Sequence, residues 1–548
     1  MPLLGRRPAL MVIDEAHCIS DWGHDFRPDY RRLAQVIQAL GNGSPVLACT
    51  ATANDRVVSD VADQLGAVGN VIRGPLGREG LGLHVVELPT AAERLAWLHQ
   101  VLPTLPGTGI IYCLTVHDVE RVALWLRLRG HAVLPYTGGS DGDDRVAAEE
   151  KLQRNEVKAL VATSALGMGY DKPDLAFVIH FQAPGSPVAY YQQVGRAGRQ
   201  LDSSVGVLLR GTEDRDIQDW FINTAFPEEA DVNAVLAAFA FAPGPLTVNA
   251  VLEQVNLKFK DIELVLKQLT VEGVLRRLKG NTYERTLKPY TYPVDRVAAV
   301  TADRRHEQFQ METYAALDVC RMAFLTEMLD DPDPHPCGVC DVCTGRRLDV
   351  SLDVALVEEA QHFVRRGYFP IEPRKRRHGH PLPESVRLEE GRALSRWNDP
   401  GWGRLVADGK HAGAFDPRLV ASLVEMVREW APDPFPTWVT FVPSLRHPEL
   451  VPTTARLFAE QMGLPLRPIV AKVRETPQQK LQQNTAHQEH NVDGAFQLTS
   501  NPASQPVFLF DDLVDSRWTF TTIGILLRQN GSGPVYPLAL ASLMGRDS

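Results

Sequence analysis

The sequence contains no apolar run approaching the ~18 residues that a membrane-spanning helix requires. Its N-terminus also lacks the long apolar stretch and cleavage site of a secretory leader. Cysteine is scarce, with seven among 548 residues, and an odd number does not suit a secreted disulfide scaffold. We therefore expect a cytoplasmic protein whose thiols stay reduced.

Positive charge is not in excess either. The chain has 57 Lys and Arg against 67 Asp and Glu, which gives a formal net charge of -10. Net charge governs solubility and non-specific attraction rather than the sign of a local groove, so this balance does not exclude a nucleic-acid partner. The 44% of hydrophobic and 23% of charged residues are ordinary for folded protein, and the length fits several domains.

The first 210 residues alternate between short apolar runs and amphipathic stretches such as DVERVALWLRLRG (118–130). The runs are ALMVI (9–13), PVLAC (45–49), GIIYCL (109–114), ALVAT (159–163) and FVIHF (177–181). This alternation predicts an α/β fold in which buried parallel strands are connected by helices.

Two adjacent acids follow the first run, in Asp14-Glu15-Ala16-His17. Ligands of open α/β sheets bind at the carboxyl ends of parallel strands. There one acid can hold Mg²⁺ while the other polarises an attacking water. Taken alone, this short string fits solvated acids at a strand end equally well.

Further motifs follow in order: ISDWGHDFRPDYRRL (19–33), TATA (50–53), VATSALGMGYDKPD (161–174) and QQVGRAGR (192–199). This ordered set resembles the RecQ family of DNA helicases, superfamily 2 motors with two RecA-like lobes. The resemblance covers residues 1–347 and implies ATP and Mg²⁺ as cofactors. It also implies DNA as the partner, as single strands and duplex junctions, with 3′→5′ unwinding in repair or recombination. Protein partners are not indicated.

The resemblance assigns the ATP-handling residues to both lobes. Asp14 binds Mg²⁺, Glu15 activates the hydrolytic water, and His17 completes their motif. Residues from the second lobe close the same cleft: Gly169, Asp171, Gln192, Arg196 and the arginine finger Arg199.

The resemblance also assigns residues to DNA. Thr163 and Ser164 are expected to contact phosphates. A loop that couples DNA contact to ATP turnover contains Trp22, His24, Phe26 and Arg27. Aromatic rings suit single strands, because a stacked base contributes ~1–3 kcal/mol with little sequence preference.

The family's phosphate-binding loop, G-x-x-x-x-G-K-[ST], does not occur in the sequence, and 13 residues precede Asp14. We expect that this polypeptide alone neither binds ATP tightly nor unwinds DNA. The simplest explanation is a truncated gene model or a fragment, in which the incomplete first lobe exposes apolar surface.

Residues 225–290 contain short helical patterns followed by a polar β-ribbon, which predicts a winged helix or, alternatively, a small helical insertion. In most family members the winged helix follows the zinc module, whereas here it precedes the cysteines. Its duplex-binding role is therefore a weaker expectation.

Four cysteines follow within one short window: Cys320, Cys337, Cys340 and Cys343. Four thiolates at this spacing suit tetrahedral Zn²⁺, and the RecQ family has such a module after its second lobe. We interpret the metal as structural, since zinc can supply ~10–16 kcal/mol in small sites.

The segment PVFLFDDLVDSRWTFTT (506–522) resembles the signature of type I phosphoribosyltransferases. By this resemblance, Asp511 and Asp512 hold the ribose hydroxyls of phosphoribosyl pyrophosphate, and the next loop wraps its 5′-phosphate. Arg517 stands where that loop normally has glycine, so a degenerate binding domain is favoured over an active transferase.

We therefore predict an α/β chain with the following boundaries. These are 1–75 for the rest of lobe 1, 76–212 for lobe 2, 225–290 for a winged helix, 300–347 for the zinc module, 348–430 for a basic linker and helical region, and 431–548 for a phosphoribosyltransferase-like domain. Two other functions remain open: a non-motor DNA-binding or regulatory protein, and a phosphoribosyltransferase fused to an inactive helicase core.

Overall fold

The computed structural model describes residues 9–19, 45–52, 54–65, 69–139, 142–167, 170–365, 368–377, 380–397, 399, 401–445, 448–474, 489 and 491–543. The chain divides into two compact units. Unit 1 comprises residues 1–232, 265–276 and 285–360, and unit 2 comprises residues 233–264, 277–284 and 361–548. Among the described helices, none is long and apolar enough to cross a membrane.

The first lobe of unit 1 has a parallel pair of strands, β1 (Met11–Ile13) and β2 (Val46–Ala48), and helix α1 (Asp55–Leu65). A small core joins the helix to the strands and to the 3-10 turn Ala16–Ile19; it contains Ile13, Ala16, Val57, Val61 and Leu65. Val12 and Leu47 are about half exposed.

The second lobe is a six-stranded parallel sheet with the order β3-β8-β7-β4-β6-β5. Its strands are β3 (Leu81–Glu87), β4 (Thr108–Tyr112), β5 (Val133–Tyr136), β6 (Ala159–Ala162), β7 (Leu175–His180) and β8 (Ser204–Arg210). All residues of β4, β6 and β7 are buried, because the strands of a parallel sheet are covered on both faces. The α/β expectation for this region is confirmed.

Capping residues fix where the helices of this lobe begin. The helices are α2 (Ala91–Val101), α3 (Val116–Leu128), α4 (Gly142–Gln153) and α5 (Pro187–Val194). Thr90 and Glu93 form a reciprocal capping box on α2, and Ser186 caps α5 with proline at its first position. The start of α5 sets the position of the arginines that follow it.

A segment of about 70 residues separates two packed helices of unit 1, α6 (Asp214–Asn223) and the helix that begins at Val294. The inserted elements are α7 (Glu229–Ala240), β9 (Leu246–Thr247), α8 (Val248–Gln254), α9 (Phe259–Val271), β10 (Leu275–Arg277) and β11 (Thr282–Arg285). Strand β11 pairs antiparallel with β9. The element order is that of a helical segment ending in a β-hairpin, and its identification as a winged helix stays a prediction.

Unit 1 continues with α10 (Val294–Ala315), α11 (Arg321–Glu327), α12 (Asp341–Thr344) and the start of α13 (Val354–Arg365). Gln308 on α10 donates to Asp219 on α6 at 2.8 Å, and Arg305 donates to Asn223 at 2.9 Å. Helices α6 and α10 therefore form a hairpin that the inserted segment interrupts.

Unit 2 is built on a five-stranded sheet with the order β12-β15-β20-β19-β16. Strands β15, β20, β19 and β16 run parallel, and β12 is an antiparallel edge. The strands of this unit are β12 (Phe369–Ile371), β13 (Arg376–Arg377), β14 (His380–Pro381), β15 (Gly391–Arg396), β16 (Trp438–Phe441), β17 (Val470–Lys472), β18 (Phe496–Leu498), β19 (Val507–Val514) and β20 (Val535–Ser542). Its helices are α14 (Trp402–Ala412), α15 (Pro417–Trp430), α16 (Leu450–Met462) and α17 (Trp518–Gln529).

This sheet corrects the expected boundary at residue 431. Strands β12 and β15 come from residues 348–430, which we expected to form a linker and a helical region, yet they share the sheet with β16, β19 and β20. Strand β15, GRALSR, is hard to predict from the sequence because it has no apolar run. Its fully buried apolar side chains are those of Ala393 and Leu394 alone. The sheet of this unit therefore begins with β12, at Phe369.

Candidate active site

The predicted acidic pair lies where β1 ends. Asp14 is exposed, and Glu15 adopts a left-handed backbone with φ of 50°. The neighbouring chain is fixed on both sides, because Cys49 donates to the carbonyl of Ile13 at 2.8 Å and Ala16 donates to that of Cys49 at 2.9 Å. A non-glycine residue in this conformation is held by its surroundings, and the chain leaves the strand at the acidic pair.

His17 connects the acidic pair to the next motif. Its ring is fully buried, with Nδ1 3.0 Å from Oγ1 of Thr50 and 3.4 Å from Oε2 of Glu15. The amide of Thr52 donates to the same Thr50 oxygen at 3.3 Å. The structure thus brings the D-E-x-H and TATA motifs together through one buried imidazole.

Five of the predicted residues lie outside the described residues, so the structure does not place them. They are Trp22, His24, Phe26, Arg27 and Gly169.

Thr163 and Ser164 follow strand β6 at the carboxyl edge of the second sheet. The amide of Leu166 donates to the carbonyl of Thr163 at 3.1 Å, and Ser164 is exposed. Ser164 lines a cavity of about 670 Å³ together with Cys113 and the exposed aromatic side chains of Trp220 and Phe221. Ser164 is therefore at an open surface of this lobe, whereas Thr163 is partly buried beside it.

The last motif follows α5, and its arginines contact the segment that follows Gly169. Arg196 is buried and donates from Nη1 to the carbonyl of Tyr170 at 2.9 Å. Arg199 is 43% exposed and donates to Oδ1 of Asp171 at 2.8 Å. Gln192 is partly exposed on the same helix. Three residues predicted for the nucleotide cleft, Asp171, Arg196 and Arg199, are thereby brought together.

A glycine makes this arrangement feasible. Gly198 has φ of 69°, and its amide donates to the carbonyl of Leu175 at 2.8 Å. A Cβ atom at this position would lie 2.2 Å from Oγ of Ser204. The chain can therefore turn between the two arginines only without a side chain at position 198.

A buried polar cluster beside this motif was not predicted. His180 ends strand β7, donates from Nε2 to Oε1 of Gln193 at 2.7 Å, and stacks on Tyr112 with ring centroids 5.3 Å apart. Burial lowers the pKa of His180 to about 4, so its ring is neutral near pH 7. The hydroxyl of Tyr112 donates to the carbonyl of Leu166 at 2.8 Å. A histidine inside an apolar run was the only sequence signal for it.

The four predicted metal ligands converge. The sulfur atoms of Cys320, Cys337, Cys340 and Cys343 all lie within 4.8 Å of one another. Zn–S bonds of about 2.3 Å give a tetrahedron with edges of about 3.8 Å, so the cluster is compatible with Zn²⁺. Burial opposes ionisation of Cys320, but backbone amides of Ala323 and Cys337 outweigh it and lower its pKa to about 7. The three other cysteines of the chain are not in this cluster.

A buried ion pair braces this cysteine cluster. Arg321, next to Cys320, donates from Nε to Oδ1 of Asp341 at 2.5 Å and from Nη2 to Oδ2 at 3.0 Å. Asp341, next to Cys340, also accepts from the amide of Val85 in the second lobe at 3.2 Å. Both halves of the cluster are therefore fixed to each other and to strand β3.

The second acidic pair lies in unit 2, within strand β19 rather than after it. Lys410 donates from Nζ to Oδ2 of Asp512 at 2.5 Å, and Asp512 is buried. Burial and the Asp512 carboxylate raise the pKa of Asp511 well above its usual range. One acid of the pair is thus held by a lysine and the other favours its protonated form.

Two known domain families match the chain: a DEAD/DEAH box helicase domain over residues 5–61 and a helicase conserved C-terminal domain over residues 93–200. The probable ATP-dependent DNA helicase RecS of Bacillus subtilis is 38% identical over 234 residues, 42% of this chain and 47% of RecS. The RecQ-like DNA helicase BLM of Xenopus laevis is 39% identical over 213 residues, 38% of this chain and 15% of BLM.

The ATP-dependent DNA helicase RecQ of Bacillus subtilis is 36% identical over 221 residues, which are 40% of this chain and 37% of RecQ. The chain thus spans less than half the length of each of these curated relatives.

Proposed function

From the premise that this chain carries a helicase region of the RecQ type, we propose that it contributes the acidic motif and the second lobe of an ATP-dependent DNA helicase. The observation that carries the proposal is the contact of Arg196 and Arg199 with residues 170–171. The buried guanidinium of Arg196 is held by the carbonyl of Tyr170. The guanidinium of Arg199 stays at the surface beside Asp171, which is predicted to face the nucleotide.

Arg199 is suited to respond to a nucleotide because its partner is replaceable. Its ion pair with Asp171 is largely exposed, and exposed pairs of this kind contribute about 0–1 kcal/mol. A γ-phosphate carries more charge than one carboxylate and can therefore take Arg199 from Asp171. Arginine fingers raise rates by roughly 10³–10⁵ in the best-studied phosphoryl transferases. Hydrolysis would then depend on the approach of the two lobes.

Asp14 and Glu15 of the first lobe would act on the side of the nucleotide opposite to Arg199. Asp14 is exposed at the strand end and has the ligand type that Mg²⁺ prefers, so we assign the metal to it. Glu15 is partly buried against His17, which suits a carboxylate that orients water. MgATP, when bound, would supply the phosphoanhydride that is cleaved. Because His17 contacts both Glu15 and Thr50, a shift of Glu15 on nucleotide binding would also move the TATA segment.

The 548 residues contain no G-K-[ST] tripeptide, which provides the backbone cradle and lysine for the β- and γ-phosphates. We therefore expect the polypeptide to bind DNA without appreciable ATP turnover. Phosphate release should be measured with and without single-stranded DNA, using an intact RecQ-type enzyme as the positive control. Turnover close to that of the intact enzyme would contradict this part of the proposal.

DNA binding gives a test that does not depend on turnover. Ser164→Asp places a negative charge at the predicted phosphate contact and should weaken binding of a single-stranded oligonucleotide about tenfold, by loss of contact and added repulsion. Ser203→Asp adds the same charge at another exposed serine and should leave binding unchanged. If the two variants bind alike, the DNA path over this lobe is wrong.

The inserted segment supports a second DNA contact. Arg276, Arg277 and Lys279 are exposed on the β10–β11 hairpin, whose turn is closed by the amide of Leu278 donating to Thr282 at 2.7 Å. We assign this hairpin to the phosphates of duplex DNA, as the wing of a winged helix. Alanine at all three positions should weaken duplex binding more than single-strand binding.

For unit 2 we propose a phosphoribosyltransferase-like fold without the transferase reaction. Lys410 engages Asp512, and Arg517 occupies the loop position that the reaction normally leaves to glycine, with φ of 68°. Isothermal titration with phosphoribosyl pyrophosphate should therefore show no micromolar binding. Such binding with base-dependent release of pyrophosphate would instead establish a transferase fused to the helicase region.

A further inference from the structure

The segment that connects the two lobes is fastened beside the arginine motif. It runs from the end of α1 to the start of β3, and we call its residues 76–78 the connector. Arg78 donates from Nη1 to the carbonyl of Gly195 at 2.9 Å and from Nη2 to that of Ala197 at 3.0 Å. Its guanidinium group therefore holds the chain on both sides of Arg196.

These two carbonyl groups lie at and just beyond the end of helix α5. The last carbonyl groups of a helix have no partner within it, and the helix dipole favours a positive charge at that end. Gly195 is the C-cap residue of α5, and Ala197 follows two residues later. Arginine presents several N–H donors in one plane, so a single side chain can serve both carbonyls. Arg78 is therefore a C-terminal cap of α5 that a distant part of the chain supplies.

The connector is also held at its other end. The hydroxyl of Tyr191, on α5, donates to the carbonyl of Leu76 at 2.5 Å, and the amide of Leu76 donates to Oδ2 of Asp331 at 3.0 Å. Asp331 lies in the loop between helix α11 and Cys337. The connector thus bridges the loop before the cysteine cluster and the arginine motif.

Arg73 extends this arrangement to the first lobe. It forms an ion pair with Asp55, the first residue of α1, and donates from Nη1 to the carbonyl of Leu329 at 3.0 Å. The amide of Asp55 donates to Oδ2 of Asp330 at 2.7 Å. A change in the position of the first lobe would therefore reach the connecting segment a few residues before Arg78.

We propose that Arg78 is a positioning residue that sets the orientation of the arginine motif according to the position of the connector. The inference rests on the role of Arg199 in the proposed function. Arg199 can approach a γ-phosphate only if the turn that carries it is fixed, and a misplacement of ~1 Å can cost about 100-fold in rate. Because the connecting segment is bound to both lobes, Arg78 makes that orientation depend on how the lobes are arranged.

The proposal is tested on the full chain by hydrogen exchange of the backbone amides of residues 195–198, measured by mass spectrometry. These amides are bonded in the turn; Ala197, for example, donates to the carbonyl of Val194 at 3.0 Å. Arg78→Gln removes the charged donors, so exchange of these amides should rise about tenfold. Arg78→Lys keeps the charge and one donor and should restore part of the protection. Arg127→Gln, at an exposed arginine on α3, should leave exchange at 195–198 unchanged.

A second variant separates positioning from simple packing. Asp331→Ala releases Leu76 at the far end of the connector without altering the arginine motif. In the parent chain it should raise exchange of amides 195–198 about threefold, through loss of one hydrogen bond. In Arg78→Gln it should add nothing, because the path runs through Arg78. Asp333→Ala removes a carboxylate from the same loop and serves as the control.

Neither ATP nor DNA takes part in these measurements. Failure of the proposed function would appear in the phosphate-release and DNA-binding assays, whereas failure of this inference appears in hydrogen exchange alone. Two results would overturn the inference. One is exchange of amides 195–198 in Arg78→Gln at the parent rate, or a rise of equal size in β4 and β7, which would show general loosening of the lobe. The other is an equal effect of Asp331→Ala with and without Arg78.

Discussion

Nδ1 of His17 lies 3.0 Å from Oγ1 of Thr50, and this contact joins two sequence motifs that are 33 residues apart in the chain. Parallel pairing of β1 with β2 brings them together, since Ile13 is in register with Ala48. The same imidazole nitrogen is 3.4 Å from Glu15. A carboxylate at the proposed ATP site therefore shares a buried partner with the end of the neighbouring strand.

Replacement of Thr50 by valine should destabilise the first lobe. Valine keeps the shape but removes the acceptor and donor at 3.0 Å, leaving a fully buried histidine without this partner. Loss of one hydrogen bond to a buried group that keeps another partner costs about 0.5–1.5 kcal/mol. Urea denaturation should show that loss for Thr50→Val and a smaller one for Thr50→Ser, which keeps the hydroxyl. Equal stability of Thr50→Val and the parent chain would contradict a structural role for the contact.

The cysteine cluster should hold one zinc ion per chain. Cys340 is fully buried and its sulfur already accepts from the amide of Cys343 at 3.4 Å, so Cys340→Ser should abolish zinc retention and lower the melting temperature. Cys49→Ser changes a cysteine outside the cluster and should retain zinc. Metal content by mass spectrometry, before and after chelator treatment, measures both. Zinc in Cys340→Ser equal to that in Cys49→Ser would contradict the assignment.

The second lobe and the cysteine cluster could be predicted because each depends on short-range patterns. Fully buried parallel strands appear as apolar runs, and metal ligands in a loop keep a fixed spacing. The apolar runs of the sequence did not predict strand β3, LGLHVVE, which lies at one edge of the sheet. Its apolar residues are interrupted by Gly82 and His84 and end at Glu87. Its place beside β8 is decided by long-range pairing rather than by local sequence.

In unit 2, a run of basic residues forms part of a packed domain. Residues 374–377 are consecutive cations, which usually indicate a solvated linker, but Arg374 lies over the buried Trp518 about 140 residues further along the chain. An arginine can bury its stem and stack its planar group while keeping its charge. No periodicity marks such a contact, so the start of this domain could not be predicted.

Glu307 should make stability fall as pH rises. Burial raises its pKa from 4.5 to about 7, with Arg56 and Arg304 opposing the shift. The folded chain therefore binds more protons at this site than the unfolded chain between pH 4.5 and 7. The free energy of unfolding should decrease across that window by up to about 3 kcal/mol. Urea denaturation of the parent and Glu307→Gln at several pH values should show the variant losing this decrease.

His180 should change stability with pH in the direction opposite to Glu307. Burial lowers its pKa from 6.5 to about 4, so the unfolded chain binds more protons between those values and stability should rise with pH. His180→Gln should remove this rise while leaving the Glu307 effect in place. If both variants change the pH profile in the same direction, the shift of one group has been assigned wrongly.

Gly198→Ala should displace the arginine motif. Its Cβ atom would lie 2.2 Å from Oγ and 2.7 Å from Cβ of Ser204, and φ is 69°. Gly130 supplies a matched control, because its φ is 82° but no atom lies within 4 Å of an added Cβ. Gly130→Ala should cost only the left-handed backbone, ~1–2 kcal/mol, whereas Gly198→Ala adds the overlap with Ser204. In a denaturation series, Ser204→Gly should partly rescue Gly198→Ala but not Gly130→Ala. Equal losses at both glycines would show that backbone conformation alone, and not close packing against β8, holds Arg196 and Arg199 in place.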